Sequence, residues 1–398
     1  MAMASREVAI WIVMNVHDPI TSRYLIRFAT PDDREAIQRF NERLAAGGAT
    51  YRMPLDERLD GEKHSAPGYF LFRKQMLVME GQEVRGGVLL QHHRIAIWGV
   101  EKPFCWLQLP VSEGLVNNAY ATAVIPLLNN MLRHERIVMG LGVGSYQEKW
   151  SQILVRTRWR HQKVPFLFYP LHLKKVLTEV RHLNSKPALK LAGHAASYSG
   201  LASLVGFATS IASHFKLDRS GWTARVEPGF DTWADEVYVR AQSQYGALAN
   251  RQSASLNVLY PTDDQRYTRI RVQSKSTNKE IGWMLTVHKQ MRDDQHFGNL
   301  HVGTLVNGLA ELQDIRRIIT AGFDHLASIG VDVIVCNWSH SAWVQASRSQ
   351  YFLRGPSNFI YFVSPAATPI LEEQCPLGDC HVTRGDGDIP SSLMPRRK

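Results

Sequence analysis

Three side chains near the ends of apolar segments have the chemistry that proton transfer or amide binding requires. His301 lies in the strand-like segment 297–305, and a histidine with an ordinary pKa can take up a proton near neutral pH. Tyr351 stands late in the segment 341–353, and its phenol can donate a proton. Asn337 follows a strand-like run, where its amide can bind another amide or cap the next helix. Each also has a plain structural interpretation, since the chain contains 16 histidines and tyrosines often pack in cores.

The cysteines do not define a site. Cys375, Cys380 and His381 lie close together, but a structural zinc ion takes four ligands and this group supplies three at most. We therefore expect no metal. With four cysteines in 398 residues, a reducing compartment is favoured, and we expect a cytoplasmic protein.

The charge of the chain favours anionic partners. The formal net charge is +10, from 46 Lys and Arg against 36 Asp and Glu. Basic residues are scattered and no nucleic-acid-binding motif is present, so no nucleic acid is expected, with tRNA the one exception left open. The segment 191–213 lacks acidic and basic residues apart from His194, but it is rich in Ala, Ser and Gly. It predicts a docked helical linker rather than a transmembrane segment.

The elements that must position these residues follow one order twice. The first unit begins with a strand at 24–28 and with Thr30-Pro31-Asp32-Asp33, which is typical of a helix start. Its later elements are strands at 75–80 and 88–98 joined by a turn at 80–83, a strand at 104–109, a helix at 121–132, a strand at 137–143, a helix at 146–157 and a closing strand at 164–169.

The second unit repeats this order with one extra strand. Apolar residues at three- and four-residue steps in 315–326 indicate an amphipathic helix. The β-branched run 331–336 predicts a strand buried on both faces. The other elements are a strand at 223–226, a helix at 232–245, strands at 255–259, 267–273, 281–288 and 297–305, a helix at 341–353 and a closing strand at 359–363.

This order resembles the fold of the GNAT acyl-CoA N-acyltransferases. The best local match is the segment from Asn337 to Tyr351 and Gly355, where the family has an Asn at a strand end and a Tyr before a turn. The resemblance implies an α+β fold with two tandem GNAT-like domains, each a mixed, mostly antiparallel sheet flanked by helices. The expected division is an extension (1–20), an N-terminal domain (21–172), a helical linker (173–220), a C-terminal domain (221–365) and a tail (366–398).

The resemblance also implies a site in the second unit, in a gap between two strands that holds the pantetheine arm of an acyl-CoA. Tyr351 would be the general acid, and His301 would take the proton of the attacking amine, with Asp314 and Glu280 as alternatives. Acetyl-CoA or another acyl-CoA is the implied cosubstrate. The implied cofactor-binding residues are Val302, Gly303, Thr304, Asn307, Gly308, Asn337 and Arg316.

Both units depart from the family in the diphosphate-binding loop. Such a loop needs glycines so that backbone N–H groups can face phosphate oxygens. The loops at 111–118 and 304–311 each contain one glycine. Glu113 in the first loop is expected to be a solvated acid. The first unit has Leu154 near the position of Tyr351, so we expect the C-terminal domain to bind the donor.

Three functions remain open. The first is acyl transfer from acyl-CoA to an amine on a small molecule or a carrier. The second is transfer from an aminoacyl-tRNA or a carrier-protein thioester, as in the similar FemAB-type and exopolysaccharide or natural-product pathway transferases. The third is a non-catalytic binding module that keeps the fold. The acceptor and the oligomeric state are not indicated by any motif.

Overall fold

A computed structural model of the chain describes residues 23–55, 71–141, 146–180, 219–372 and 376–387. The predicted extension 1–20 and the apolar segment 191–213 lie outside these residues. None of the described helices combines the length and the apolar character that a membrane crossing requires.

The strands and helices of the described residues are numbered in chain order. The strands are β1 (Leu25–Phe28), β2 (Phe72–Glu80), β3 (Glu83–Ile97), β4 (Val100–Ser112), β5 (Val138–Leu141), β6 (Arg160–Lys163), β7 (Phe166–Pro170), β8 (Trp222–Glu227), β9 (Ala247–Ala249), β10 (Thr268–Ser274), β11 (Glu280–Gln290), β12 (His301–Ala310), β13 (Val333–Asn337), β14 (Leu353–Gly355), β15 (Ile360–Val363) and β16 (Cys380–His381). The helices are α1 (Arg34–Ala46), α2 (Val124–His134), α3 (Lys149–Arg156), α4 (Leu173–Glu179), α5 (Thr232–Ala241), α6 (Ser253–Leu259), α7 (Ile315–Ile329), α8 (Ser341–Ser349), α9 (Thr368–Glu372) and α10 (Arg384–Gly387).

These strands form two mixed sheets. The N-terminal sheet has the order β1-β2-β3-β4-β5-β15-β6, and β9 and β16 extend it from β3. The C-terminal sheet has the order β14-β7-β13-β12-β11-β10-β8. Most neighbours are antiparallel, whereas β4 with β5, β12 with β13 and β9 with β16 are parallel. The predicted α+β class with two mixed sheets is confirmed.

The two units exchange their closing strands. The sequence analysis placed 164–169 in the first unit, but β7 pairs with β13 and β14 of the C-terminal sheet. It placed 359–363 in the second unit, but β15 pairs with β5 and β6 of the N-terminal sheet. Both segments are short and apolar, so either sheet satisfies their side chains, and the sequence pattern does not specify the partner.

The helices pack where their apolar faces require. Helix α7 buries Ile315, Ile318, Phe323 and Leu326 against the C-terminal sheet, as its spacing predicted. It ends at Gly330, whose φ of 79° is a left-handed conformation that favours glycine. On the N-terminal sheet, α2 and α3 cover one face and α1 covers the other.

Two further segments differ from the sequence prediction. Residues 255–259 were expected to be a strand but belong to α6. The carboxylate of Asp235 accepts a hydrogen bond from the Ser253 N–H at 2.6 Å and so satisfies a donor in the first turn of that helix. The predicted strand 297–305 begins only at His301 and continues to Ala310.

Candidate active site

Each sheet parts beside one of its parallel strands. In the N-terminal sheet β4 pairs with β5 only from Cys105 to Leu107, although β4 continues to Ser112. Two residues of β4, Leu109 and Pro110, then stand opposite one residue of β3, which is a β-bulge. The bulge turns the end of β4 away from β5, and we call this gap the N-terminal opening.

The C-terminal sheet has a matching gap. Strand β12 pairs with β13 from Val302 to Leu305 and continues to Ala310. A bulge at Val306 follows the last pair, as the register against β11 shifts between Leu285 and Thr286. We call this gap the C-terminal opening.

The C-terminal opening is filled by the tail of the chain. The His381 Nε2 lies 3.0 Å from the carbonyl oxygen of Gly308, and it must carry the proton because a carbonyl only accepts. The His381 ring stacks on Trp343 with centroids 4.8 Å apart. Thr383 bridges to Trp338 at the end of β13. Burial holds the pKa of His381 well below its usual range, so the imidazole is neutral.

The strand edge in this opening is occupied by protein groups. The Tyr245 hydroxyl donates to the carbonyl of Ala310 at 2.7 Å. The Asn307 side chain donates to the Tyr260 hydroxyl at 3.0 Å and accepts from the N–H of Gly308 at 2.8 Å. The predicted cofactor groups Asn307 and Gly308 are thus bound to other parts of the chain.

The remaining predicted cofactor residues also have structural partners or lie elsewhere. Val302, Gly303 and Thr304 belong to the paired part of β12. The Asn337 amide donates to the carbonyl of Pro165 at 3.1 Å and so holds the start of the exchanged strand β7. Arg316 is exposed in the first turn of α7.

The start of α7 is poorly suited to a diphosphate. Glu311, which pairs with Arg240 at 3.0 Å, stands just before the helix. Asp314, which pairs with Arg317 at 2.7 Å, follows it. Two carboxylates already take the favourable position for negative charge at a helix N-terminus, which opposes the binding of phosphate there.

His301 and Tyr351 do not meet at the C-terminal opening. His301 is the first residue of β12, and seven residues of extended chain, about 23 Å, separate it from Gly308. Its Nε2 lies 3.0 Å from Nδ1 of His288 near the surface. Tyr351 has a φ of 66° in the turn before β14, and it packs partly against the C-terminal core.

The alternative bases and the acidic loop residue are held in ion pairs. Glu280 accepts from Arg271 Nε at 3.0 Å. Glu113, expected to be solvated, is buried instead, with its carboxylate 3.0 Å from Arg85 Nη1 and 3.1 Å from Arg43 Nε. The two guanidinium groups offset the cost of burying that carboxylate. Glu113 therefore fastens the loop after β4 to β3 and α1.

The N-terminal opening remains accessible. Leu109 has a φ of 41° at the bulge, and both Leu109 and Pro110 are half-buried. By contrast, Val306 to Ala310 in the other sheet are all buried. Beyond the bulge, the residues from 111 to 114 are buried and most residues from 115 to 122 are exposed, before α2 begins. The edge of β4 can therefore be reached from solvent at the bulge.

A hydrogen-bonded tyrosine and histidine lie on the β5 side of the N-terminal opening, two strands beyond β5, and the sequence analysis did not single them out. Tyr146, in the connection from β5 to α3, has its hydroxyl 3.0 Å from Nδ1 of His161. His161 of β6 pairs with a residue of β15 that pairs in turn with Gly140 of β5. Gly140 pairs with Leu107 of β4, and these two are the last paired residues before β4 and β5 part. Burial raises the pKa of Tyr146, so its phenol stays protonated at neutral pH.

No metal centre accompanies these groups in the part of the chain that the structure describes, where no three His, Cys, Asp or Glu side chains are grouped to hold an ion. Cys380 is buried and His381 donates to a backbone carbonyl, while Cys375 lies outside the described residues.

No protein-family model and no curated protein sequence matches the chain. Solved structures do. A GCN5-related N-acetyltransferase from Anabaena variabilis matches with 10% identity over 85% of this chain and 72% of that chain, at a TM-score of 0.50. An N-myristoyltransferase from Saccharomyces cerevisiae with bound myristoyl-CoA matches with 10% identity over 88% and 80%, at 0.48. A tandem GNAT protein from the clavulanic acid biosynthesis pathway matches with 10% identity over 86% and 98%, at 0.46.

The likeness concerns the fold. Together with the two parted sheets, it shows that the chain has a tandem GNAT fold. The predicted resemblance is confirmed at that level.

Proposed function

We propose that the protein is an acyl-CoA-dependent N-acyltransferase whose donor enters the N-terminal opening. The observation that carries the proposal is the contrast between two matching gaps, of which the tail fills one and leaves the other accessible at Leu109 and Pro110. An exposed strand edge binds an extended amide-containing chain through backbone hydrogen bonds, and a pantetheine arm contains two amides. The first unit, rather than the C-terminal domain that the sequence analysis favoured, is thereby our candidate donor site.

The chemistry needs positioning and one proton donor. The amine nitrogen of the acceptor attacks the thioester carbonyl, the C–S bond breaks, and the departing thiolate takes a proton while the amine loses one. Tyr146 is our candidate donor of that proton, because its phenol stays protonated and His161 holds its oxygen in place.

A thiol-labelling experiment tests the location. The variants Leu109→Cys and Val306→Cys, each combined with Cys375→Ser, place one thiol at each bulge, in a background where Cys105, Cys336 and Cys380 are buried. We expect Leu109→Cys to react with a maleimide and acetyl-CoA or a longer acyl-CoA to slow that reaction. Val306→Cys is the matched control and should stay unreactive with or without the ligand.

Two results would overturn the proposal. One is the absence of binding of any acyl-CoA in isothermal titration, which would favour the non-catalytic binding module. The other is protection by acyl-CoA at Val306→Cys, which would return the donor to the C-terminal opening.

A carrier-protein thioester is the second candidate donor. The N–H of Gly114 already donates to the Ser112 hydroxyl at 3.1 Å, and the N–H of Ala119 donates to the Asn117 side chain at 3.1 Å. These bonds occupy donors in the loop that would face a diphosphate, and a carrier's pantetheine bears one phosphate rather than a nucleotide. Protection of Leu109→Cys by a pantetheinylated carrier, with acyl-CoA inert, would favour it.

A further inference from the structure

A row of polar side chains is buried on the α1 face of the N-terminal sheet. Arg73 of β2 pairs with Gln91 of β3, and Gln75 of β2 lies across Leu89 from Gln108 of β4. Because side chains alternate along a strand, these four polar side chains share one face. Arg73, Gln75, Gln91 and Gln108 are each no more than 5% exposed.

Arg73 is a buried cation with no carboxylate partner among the described residues. Its Nε and Nη2 donate to the Gln91 side-chain oxygen at 2.8 and 2.6 Å, and its Nη1 has no hydrogen-bond partner. Burial lowers the pKa of Arg73 to about 10, so it is still charged at neutral pH. Two other arginines are as deeply buried: Arg251 pairs with Asp386 at 2.8 Å, and Arg269 donates to the carbonyls of Tyr260, Pro261 and Tyr267. Among the described residues Arg73 has neither a carboxylate nor a set of backbone carbonyls around its guanidinium group.

The neighbouring amides are also incompletely satisfied. Neither the oxygen nor the nitrogen of the Gln108 side chain has a partner, and the Gln75 oxygen has none. The side-chain nitrogen of Gln75 does have a partner, since it lies 3.4 Å from the carbonyl of Pro54. Unsatisfied buried donors and acceptors of this kind cost about 1–3 kcal/mol each, so a cluster of them on one face calls for an occupant.

Water alone does not complete this group. Ordered waters can satisfy the amides, but they do not neutralise a guanidinium charge that is withdrawn from solvent. An oxyanion does both, since a carboxylate accepts from a guanidinium and from an amide N–H at the same time.

We propose that Arg73, with Gln91, Gln75 and Gln108 around it, forms a buried subsite for the carboxylate of a small molecule. The subsite begins at the N-terminal opening, because Gln108 is the first residue of β4 beyond its pairs with β5. Arg73 lies two strands away from Gln108, on β2, and two residues further along that strand. Strand geometry places the two residues about 12 Å apart. A molecule of amino-acid size, reached by the long arginine side chain, spans that interval.

The identity of the acceptor rests on the proposed function: in an acyl transfer at the N-terminal opening, this subsite identifies the acceptor as an amine that also bears a carboxylate. The carboxylate end is held at Arg73, and the amine end points towards the gap where the thioester carbonyl would lie. Amines without an acid group, such as amino sugars or polyamines, leave the guanidinium without its counter-charge and are excluded as good acceptors.

Thermal denaturation of the full-length protein tests the subsite without requiring turnover. The probes are the standard L-amino acids and sodium formate, each against sodium chloride at equal ionic strength, with and without acetyl-CoA. We expect a saturable rise in Tm with at least one amino acid and none with its carboxamide. Arg73→Met should weaken the apparent affinity about tenfold or more, because a charge-assisted hydrogen bond is lost.

Two variants separate binding from structure. Arg225→Met removes an exposed strand arginine and should leave the ligand effect unchanged. Without ligand, Arg73→Met should be as stable as the wild type or more stable, whereas loss of a structural arginine would lower Tm. If Arg73→Met fails to fold, Gln108→Leu provides the second test and should weaken the same ligand effect severalfold.

The inference is overturned if no carboxylate stabilises the wild type, or if the stabilisation survives both Arg73→Met and Gln108→Leu. Failure of the proposed function looks different. Acyl-CoA would then leave Leu109→Cys unprotected while the carboxylate still raises Tm through Arg73.

Discussion

In both sheets a bulge follows the last pair between two parallel strands, at Leu109 and Pro110 in one and at Val306 in the other. In the C-terminal sheet, Tyr245 and His381 then satisfy the carbonyls of Ala310 and Gly308. In the N-terminal sheet the bulge residues Leu109 and Pro110 stay half-buried, whereas Val306 at the other bulge is buried. Two copies of a fold in one chain therefore need not provide two binding sites. The unpaired edge of a parted strand needs hydrogen-bond partners, and the chain itself can supply them.

Loss of Asp386 should have the largest effect on this comparison. Its carboxylate accepts from Arg251 and from the N–H and hydroxyl of Thr383, so it holds the tail in the C-terminal opening. Asp386→Ala leaves a buried guanidinium without its partner, and we expect a loss of about 3–5 kcal/mol in the free energy of unfolding, measured with urea.

The matched control for Asp386→Ala is Asp324→Ala, whose pair with Arg219 is about one-third exposed on both sides. We expect that change to cost about 0–1 kcal/mol. The double variant Arg251→Met, Asp386→Leu should recover much of the lost stability. An Asp386→Ala protein as stable as the wild type would show that the tail is not fastened by this pair.

Tyr146→Phe tests which of the two units carries out the reaction. Removing the hydroxyl should lower kcat about tenfold to hundredfold in an acyl-transfer assay, with binding of acyl-CoA unchanged, because the departing thiolate loses its proton donor. Tyr351→Phe is the control and should leave kcat near that of the wild type. The opposite result would move the reaction to the C-terminal unit.

The dependence of stability on pH should report the filled opening. Burial lowers the pKa of His340 to about 4 and holds that of His381 well below its usual range, while both have ordinary values near 6.5 when unfolded. The unfolded chain then binds protons that the folded chain does not. The stabilisation is therefore complete above pH 6.5 and is lost as pH falls towards the folded pKa values, by about 1.4 kcal/mol per pH unit for each histidine.

His381→Phe keeps an aromatic ring against Trp343 and removes one titrating group. Its urea-unfolding free energy should depend on pH less steeply between pH 6.5 and 4, by the contribution of one histidine. His134→Phe, at the exposed end of α2, is the control and should keep the slope of the wild type. An unchanged slope for His381→Phe would mean that His381 is not neutral in the folded protein.

The smallest effect is expected for His301→Ala. The backbone N–H of His301, which donates to Asp332 at 2.7 Å, is kept in this variant, and only the contact with His288 is lost. The free energy of unfolding should change by no more than about 0.5 kcal/mol, and kcat should stay the same. A large fall in kcat would show that the far end of β12 takes part in the reaction.

The sequence predicted the elements whose pattern of apolar side chains indicates which faces are buried. The spacing in α7 and the β-branched run before Asn337 indicate a buried helix face and a buried strand, and both are present. The hairpin turn at 80–83 was also placed correctly between β2 and β3. The order of such elements was enough to indicate the tandem GNAT fold.

What the sequence did not show depends on contacts between distant segments. Nothing local in 359–363 tells which sheet it joins, and nothing near His381 shows that it will lie against Gly308. The strand that contains His301 was predicted to begin at 297 but begins at His301, because Phe297 and Leu300 resemble the alternating apolar residues of a strand. Tyr146 had a usable signal, an aromatic residue in the glycine-containing connection after a buried strand, but that signal is common.

The exchange of β7 and β15 makes each sheet dependent on the other half of the chain. A chain cut in the connection between the units would lack an inner strand in both pieces, and each piece would expose two unpaired strand edges, a template for aggregation. Neither half can be lost, transplanted or duplicated alone without its counterpart. A second opening that the chain itself fills can therefore persist through descent, because its unit supplies a structural strand to the sheet beside it.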